Sequence, residues 1–317
     1  SCSALLTPFK NTKIGKALKN PLHIVSAYMT HHADWFPDDE KYIKWKYFCM
    51  IHRCPDLKNP KTFNEKLNWL KLHDRNPLYT KLADKYEVKQ FVADAIGSEY
   101  VVTCYGTWDS FEDIDWDKLP DKFVLKTTHA SMGAIICSDK NTFDKVAAEK
   151  IITNSLNNHY FLADREWPYK DIKPRVIADQ LLEGGAHGVG NAGILSDYKF
   201  WCFNGEPKVM YMTVKSSQVF ENFYDMDFKP VSINHGFPRN VPEFCKPKNF
   251  EKMVELAGKL AKISQTVHVR VDFFNVDGKI YFGEFTFYDW SGFRPFKPER
   301  LDEEIGSWII LPDTKTE

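Results

Sequence analysis

Arg270, Asp272 and Glu284 constrain the fold of this chain most, because they interrupt VRVDFF and KIYFGEFTFY, two runs otherwise apolar enough to be buried strands. A charge taken out of water needs a partner. Side chains alternate along a strand, so Arg270 and Asp272 share one face, as do Glu284 and Thr286. A plain two-residue turn at Asp277-Gly278 would oppose Asp272 to Gly283 and put the carboxylates on opposite faces. The two faces coincide only if Asp272 opposes Glu284 and Arg270 opposes Thr286, which predicts a three-residue loop or a bulge at the turn. Two opposed carboxylates repel unless a cation lies between them, and a hard-oxygen site with open positions suits Mg²⁺ carrying nucleotide phosphates. The other reading is a salt-bridge pair on a half-exposed sheet.

A second anomaly lies in KFVLKTTHASMGAII. Lys126 ends a hydrophobic strand and is followed by Thr127, Thr128, Ser131 and Gly133, small residues whose amides can approach phosphate oxygens beside an ammonium. The pattern is neither a P-loop nor GxGxxG, and a solvated lysine before a polar turn remains open. Lys199 in DYKFWCF repeats the anomaly beside Asp197, with a cross-strand ion pair as its plainer explanation.

Composition narrows the class. Lysine plus arginine (42) nearly balances aspartate plus glutamate (43) across 317 residues, so no global field recruits nucleic acid or a membrane. With 43% apolar residues the chain can bury a core. Seven scattered cysteines without a CxxC pair suggest neither a disulfide framework nor a zinc knuckle and fit a reducing cytoplasm. The expected location is cytoplasmic, since no apolar run approaches the ~20 residues that span a bilayer and the start lacks a cleavable secretory pattern. Residues 10–20 hold four lysines and no acid, a segment able to rest on an anionic membrane surface or to remain a solvated helix.

Along the chain, residues 33–95 read as helical, with Thr62 or Asn64 as a cap and LADKYEVKQFVADAIG as one helix ending at Gly97. YVVTCYGTW, KFVLKTTH, AIICSD and PRVIADQLLE read as strands and FDKVAAEKIITNSLNNHY as a helix. A glycine-rich stretch, EGGAHGVGNAG, precedes a hairpin turning at Asn204-Gly205, and NFEKMVELAGKLAKI is a helix between the two hairpins. The fold class is α+β.

From Lys41 to Pro312 the chain resembles the TupA-like branch of the ATP-grasp proteins. The resemblance rests on NPKTFNEKLNWLKLHDRNPLYTKLADKYEVKQFV, LPDKFVLKTTHASMGAIICSD, KPRVIADQLLE, DYKFWCFNGEPK and VRVDFFNVDGKIYFGEFTFYDWSGF, in that order. It implies an ATP-grasp fold, in which two α+β subdomains clasp ATP, and a reaction that activates a carboxylate as an acylphosphate for attack by an amine. It divides the chain into a helical region (1–97), a lid-type subdomain (98–180) and a metal-binding subdomain (181–312). Lys85 and Lys126 are similar to the nucleotide lysines, and the loop from Thr128 through His129 and Ser131 to Gly133 resembles the lid over the phosphates. Asp179 stands at the hinge acid, Asp197 at the ribose acid, and Lys199 near the phosphates. Asp272 and Glu284 resemble the metal carboxylates and Arg270 the arginine facing the developing oxyanion. Thr286 stands where many relatives have asparagine. ATP and Mg²⁺ are thereby implied, with an amino acid and a carboxylated sugar or glycan as substrates, no nucleic acid, and peripheral membrane association through a lipid-linked glycan.

A glycosyltransferase is the rival reading, carried by the DxD of Asp225-Met226-Asp227. Tyr288, Trp290, Phe293 and Phe296 would stack on a sugar or pack in the core, and Arg294 or Lys297 would hold a carboxylate. Cys137 and Cys202 read as small core residues.

Overall fold

The computed structural model describes residues 20–131, 134–184, 197–215, 218–240 and 243–313. Gly133, the lysines of residues 10–19 and most of the glycine-rich stretch lie outside the described residues.

Among the described residues five α-helices come first: α1 (Pro21–His31), α2 (Asp39–Ile51), α3 (Phe63–His73), α4 (Pro77–Ala83) and α5 (Glu87–Ile96). Thr62, not Asn64, caps α3: its hydroxyl accepts from the Glu65 amide while the Glu65 carboxylate accepts from the Thr62 amide, a reciprocal capping box. The expected single helix through Lys85 is two. The Asp84 carboxylate accepts from the amides of Tyr86 and Glu87, starting α5 anew and leaving Lys85 at the junction. Gly97, with φ of 120°, ends α5 as expected.

A four-stranded sheet follows, built from β1 (Cys104–Trp108), β2 (Phe123–Thr127), β3 (Ile135–Cys137) and β4 (Val176–Asp179) in the order β1-β4-β2-β3, all antiparallel. Helices α6 (Lys145–Leu156) and α7 (Tyr160–Asp164) lie between β3 and β4 in sequence, and α6 buries Ala148 and Ile152 against this sheet's core.

The second sheet has six strands: β5 (Asp197–Phe203), β6 (Glu206–Lys215), β7 (Val219–Tyr224), β8 (Pro230–Val231), β9 (His268–Val276) and β10 (Lys279–Thr286), ordered β10-β9-β5-β6-β7-β8. Helix α8 (Phe250–Ile263) packs Phe250, Met253, Leu256 and Leu260 on it, and α9 (Arg300–Gly306) closes the described chain. Asn204 and Gly205 take φ of 52° and 83°, and Asp277 and Gly278 take 51° and 97°, so both hairpins turn where the dipeptides indicate. Helices α3 to α5 bury Phe63, Leu67, Leu70, Tyr79 and Val88 in the same core as this sheet. Helices α3 to α5 therefore share one core with the second sheet. Cys137 and Cys202 are buried core residues.

The predicted irregularity exists, at a different place. Val276 pairs with Lys279 across a plain two-residue turn, and that register continues to Phe273 opposite Phe282. It then shifts by one, so that Phe285 faces Val271 and Thr286 faces Arg270. The bulge thus sits at Gly283-Glu284 opposite Asp272, in the strand and not in the turn. Gly283 makes it possible: a Cβ there would stand 3.1 Å from the Asp272 carbonyl oxygen and 3.3 Å from its Cβ. Gly283→Val is expected to lose ~1–3 kcal/mol in urea denaturation through this overpacking; an unchanged midpoint would mean that the bulge has room to spare.

Candidate active site

The register of the second sheet gathers the polar residues on one face. Asp272 pairs with Lys199, Lys199 with Tyr211, Tyr211 with Phe223, and Thr213 with Glu221. Cross-strand partners point to the same side, so Arg270 and Asp272 on β9, Lys199 on β5, Tyr211 on β6 and Glu221 on β7 form one floor.

Arg270 organises its centre. Its Nε and Nη2 donate to the two Asp272 carboxylate oxygens at 2.8 and 2.8 Å, Nη2 also reaches Glu284 Oε1 at 3.0 Å, and Nη1 reaches Asp289 Oδ1 at 2.6 Å. Thr286 Oγ1 donates to Glu284 Oε1 at 3.3 Å. The bulge therefore brings Asp272 and Glu284 onto a single cation, and Asp272, only 2% exposed, is no surface ion pair.

Asp289 is the residue that the sequence analysis missed. It is fully buried and accepts from Trp201 Nε1 at 2.8 Å and the Tyr211 hydroxyl at 3.0 Å besides Arg270. Burial raises its carboxyl, but Arg270, His235 and these donors outweigh burial and hold it below the usual carboxylate range. For Asp272 burial prevails over the pull of Arg270 and Lys199, and the carboxyl is pushed up to about 7. Asp289 is thus the permanent counter-ion of Arg270, which leaves Asp272 and Glu284 able to exchange it for another cation. The signal in the sequence was an acid directly after an apolar run, TFYD.

The first sheet supplies a second cluster. Lys126 Nζ and Lys89 Nζ each lie 3.1 Å from a different Asp179 oxygen. Lys89, four residues after Lys85, was also missed. Lys85 Nζ donates to the Ala130 carbonyl at 2.7 Å. Burial pulls the Lys85 ammonium down, while Glu284 and Asp179 support its charge and Lys126 opposes it. Lys85 therefore stands electrostatically between the two sheets, with Glu284 on one side and Lys126 and Asp179 on the other.

The expected phosphate loop is different. Thr128 is buried; its amide donates to the Arg175 carbonyl at 3.0 Å and its hydroxyl donates to Lys173 O at 2.8 Å, so neither is free for a phosphate. His129 is also buried, with Nε2 3.1 Å from the Asn158 carbonyl, and burial lowers its pKa. Thr128 extends the β2–β4 pairing beyond Thr127 and His129 is tied through its ring to Asn158, long-range uses that loop composition does not reveal. Ser131 is exposed. Lys199 pairs with Asp197 on its own strand and stands 5.7 Å above the Tyr211 ring.

Tyr288, Phe293 and Phe296 are core residues, whereas Trp290 is 47% exposed. Asp225 of the DxD accepts from the amides of Asp227 and Lys229, both at 2.9 Å, which closes the turn between β7 and β8. Among the described residues no cluster of three or more His, Cys, Asp or Glu side chains could hold a metal. The donor set at the bulge is two carboxylates and a hydroxyl, hard oxygens that suit an Mg²⁺ ion completing its shell with phosphates and water. No described helix is long and apolar enough to cross a membrane.

Glu221 is 2% exposed, and neither of its oxygens has a hydrogen-bond partner. Burial pushes its carboxyl up to about 7, against the pull of Arg294. This folded-state value lies above the ordinary 4.5, so the contribution of Glu221 to stability falls as pH rises from 4.5 to 7. Glu221→Gln removes that loss. The variant is expected to gain about 3 kcal/mol over the parent between pH 4.5 and pH 8, read by denaturant unfolding at both values; a pH-independent difference would contradict the buried, unpaired carboxylate.

A profile of the TupA-like ATP-grasp family matches residues 65–310. The chain belongs to the TupA-like ATP-grasp family. Its six-stranded sheet, its hairpin acids and the four-stranded sheet bearing Lys126 are thus parts of an ATP-grasp fold. Among solved structures, the ATP-grasp ligase PsnB with minimal precursor, Mg and ADP matches at 10% identity and TM-score 0.39, covering 71% of this chain and 57% of that one. An L-amino acid ligase from Bacillus licheniformis matches at 12% identity and TM-score 0.42, covering 81% and 57%. The ADP complex of purK, an N5-carboxyaminoimidazole ribonucleotide synthetase, matches at 14% identity and TM-score 0.41, covering 77% and 56%. The chain spans a little over half the length of these three solved chains. No curated protein matches.

Proposed function

We propose that this TupA-like ATP-grasp protein is an ATP-dependent carboxylate-amine ligase. The observation that carries the reading is the convergence of Asp272 and Glu284 on Arg270, with Asp289 as the cation's separate counter-ion. Asp272, Glu284 and the Thr286 hydroxyl hold Mg²⁺, which when bound neutralises nucleotide phosphates. Arg270 stays paired with Asp289 and offers Nε and Nη2, freed from Asp272, to the oxyanion that develops as an amine attacks an acylphosphate. A cation fixed beforehand needs no reorganisation as that charge forms.

Lys85 and Lys126 bind the phosphates, where an anion would relieve the crowding of two ammonium groups with Lys89 around Asp179. Asp197 bonds the ribose and Lys199 lies near the phosphates, while Ser131 and Gly133 belong to the loop over them. Asp179 acts at the hinge by orienting Lys126 and Lys89. The activated acid is a carboxylated sugar or a glycan of a surface polysaccharide, and the amine is an amino acid. The protein works in the cytoplasm, reaching a lipid-linked glycan from the membrane surface.

Incubation with Mg²⁺ and ATP against a panel of uronic acids and amino acids, with a nucleotide-sugar control, tests the reading. ADP and phosphate should appear only with a matching acid and amine. Intact ATP with consumption of the nucleotide sugar would replace the ligase by a glycosyltransferase.

A further inference from the structure

On the far side of Asp289 from Arg270 the chain makes a left-handed turn. Trp290 and Ser291 have φ of 47° and 59°, a conformation costing of order 1 kcal/mol or more for each such residue unless the surroundings impose it. The surroundings do impose it: Lys71 Nζ donates to the Ser291 carbonyl at 2.6 Å and Asn68 Nδ2 to the Gly292 carbonyl at 2.8 Å. The result turns Trp290 outward beside Arg294, where both border a cleft of about 580 Å³ between the N-terminal helices and this segment.

Arg294 is held in an unusual way. Its guanidinium carbon lies 3.8 Å from the centre of the Trp290 ring and 4.1 Å from that of Phe237, and the two rings, 6.1 Å apart and inclined at 63°, form an aromatic corner around the cation. Gly236 admits it: a Cβ there would fall 2.3 Å from Arg294 Nε. Among the described residues the guanidinium has no ion-pair partner, and its in-plane N–H edge, the fork that grips a carboxylate, is unused.

Glu221 is the complement. Its amide donates to Pro238 O at 3.0 Å, which places it against the segment that carries Gly236 and Phe237. Each of Glu221 and Arg294 exerts the strongest charge effect on the other, yet they do not form an ion pair, and both Glu221 oxygens are unpartnered. A buried carboxylate with no hydrogen-bond partner and a guanidinium with no ion-pair partner thus form an uncancelled pair of poles on adjoining segments. The pair adjoins the reaction centre, since Glu221 is one row from Tyr211, whose hydroxyl is 3.3 Å from Arg270 Nη1.

We propose that Glu221 and Arg294 are the two poles of the amine-substrate subsite, Glu221 taking the ammonium and Arg294 the carboxylate of an α-amino acid. The assignment rests on the ligase reading. Trp290 and Phe237 pack against Arg294 and restrict where its fork can point. The subsite selects for a free carboxylate next to the amine, and an amine without one loses half of the recognition.

The test is saturation-transfer NMR on the full chain with a mixture of the twenty protein amino acids, in the presence of Mg²⁺ and a non-hydrolysable ATP analogue. Affinity for the analogue is measured in the same samples. The wild-type chain should bind at least one amino acid, and Glu221→Gln and Arg294→Gln should each weaken it ~10–100-fold, as expected for losing a charged hydrogen bond. Analogue affinity should hold within twofold. Arg294→Lys, which keeps the charge and loses the fork, should recover part of the binding and serves if the glutamine variant does not fold. The decarboxylated amine of the binding amino acid should bind the wild type no better than that amino acid binds Arg294→Gln.

If the analogue binds and no amino acid does, or if amino-acid binding survives both glutamine substitutions, the proposal is overturned. Amino-acid binding without any analogue binding would instead overturn the ligase reading and leave the subsite standing.

Discussion

Arg270→Ala is expected to cost the fold ~3–5 kcal/mol and to abolish turnover. The guanidinium is the shared partner of Asp272 and Asp289, which are 2% and 0% exposed, and of the half-buried Glu284. Its removal leaves uncompensated buried charge, the case in which breaking an ion pair destabilises most. Trp201 and Tyr211 still donate to Asp289 and soften the loss at that acid alone. Urea denaturation reads the effect directly. A stable Arg270→Ala protein would mean that Asp272 and Asp289 are protonated in the fold, and the cluster would then not be a charged centre. Arg270→Lys discriminates further, because a single ammonium cannot reproduce a fork that meets Asp272 with two nitrogens and Asp289 with the third.

Glu284→Gln is expected to leave stability nearly intact and to cut ATP-dependent turnover by ~10²–10³, a loss comparable to removing one preorganised electrostatic contact. The side chain is 35% exposed, so an amide there has access to solvent, and Asp289 remains to balance Arg270. Only the interaction with a cation that carries nucleotide is removed. Steady-state rates over a range of Mg²⁺ should show half-saturation at a higher Mg²⁺ concentration as well as the lower maximum. Full turnover at ordinary Mg²⁺ would remove Glu284 from the metal site.

The hairpin charges were legible because a charge inside an apolar strand demands an explanation at once. The location of the bulge was not, since an extra residue in the turn and an extra residue in the strand satisfy the same parity. Only the close approach of Gly283 to the Asp272 backbone selects the second. Asp289 escaped because it lies past the strand, in a turn whose left-handed residues follow from the hold of Lys71 and Asn68 on its carbonyls. The resemblance puts Thr128 and His129 in the lid loop, whereas Thr128 is paired with a residue 47 positions away and His129 with one 29 positions away, distances over which local pattern carries no information. The same limit hid the packing of α3 to α5 on the second sheet. Glu221 and Asn222 interrupt β7 with polar residues, and their burial depends on partners that only the assembled sheet supplies.

Oxygen transfer tests the central claim most directly. With the acid substrate labelled by ¹⁸O in its carboxylate, an acylphosphate pathway carries one labelled oxygen into the phosphate released as the amide forms. The account predicts ¹⁸O-phosphate in a one-to-one ratio with amide product, dependent on Mg²⁺ and reduced in step with the amide in Glu284→Gln. Unlabelled phosphate accompanying amide formation would show that no acylphosphate forms, and the assignment of Arg270, Asp272 and Glu284 to that chemistry would fall.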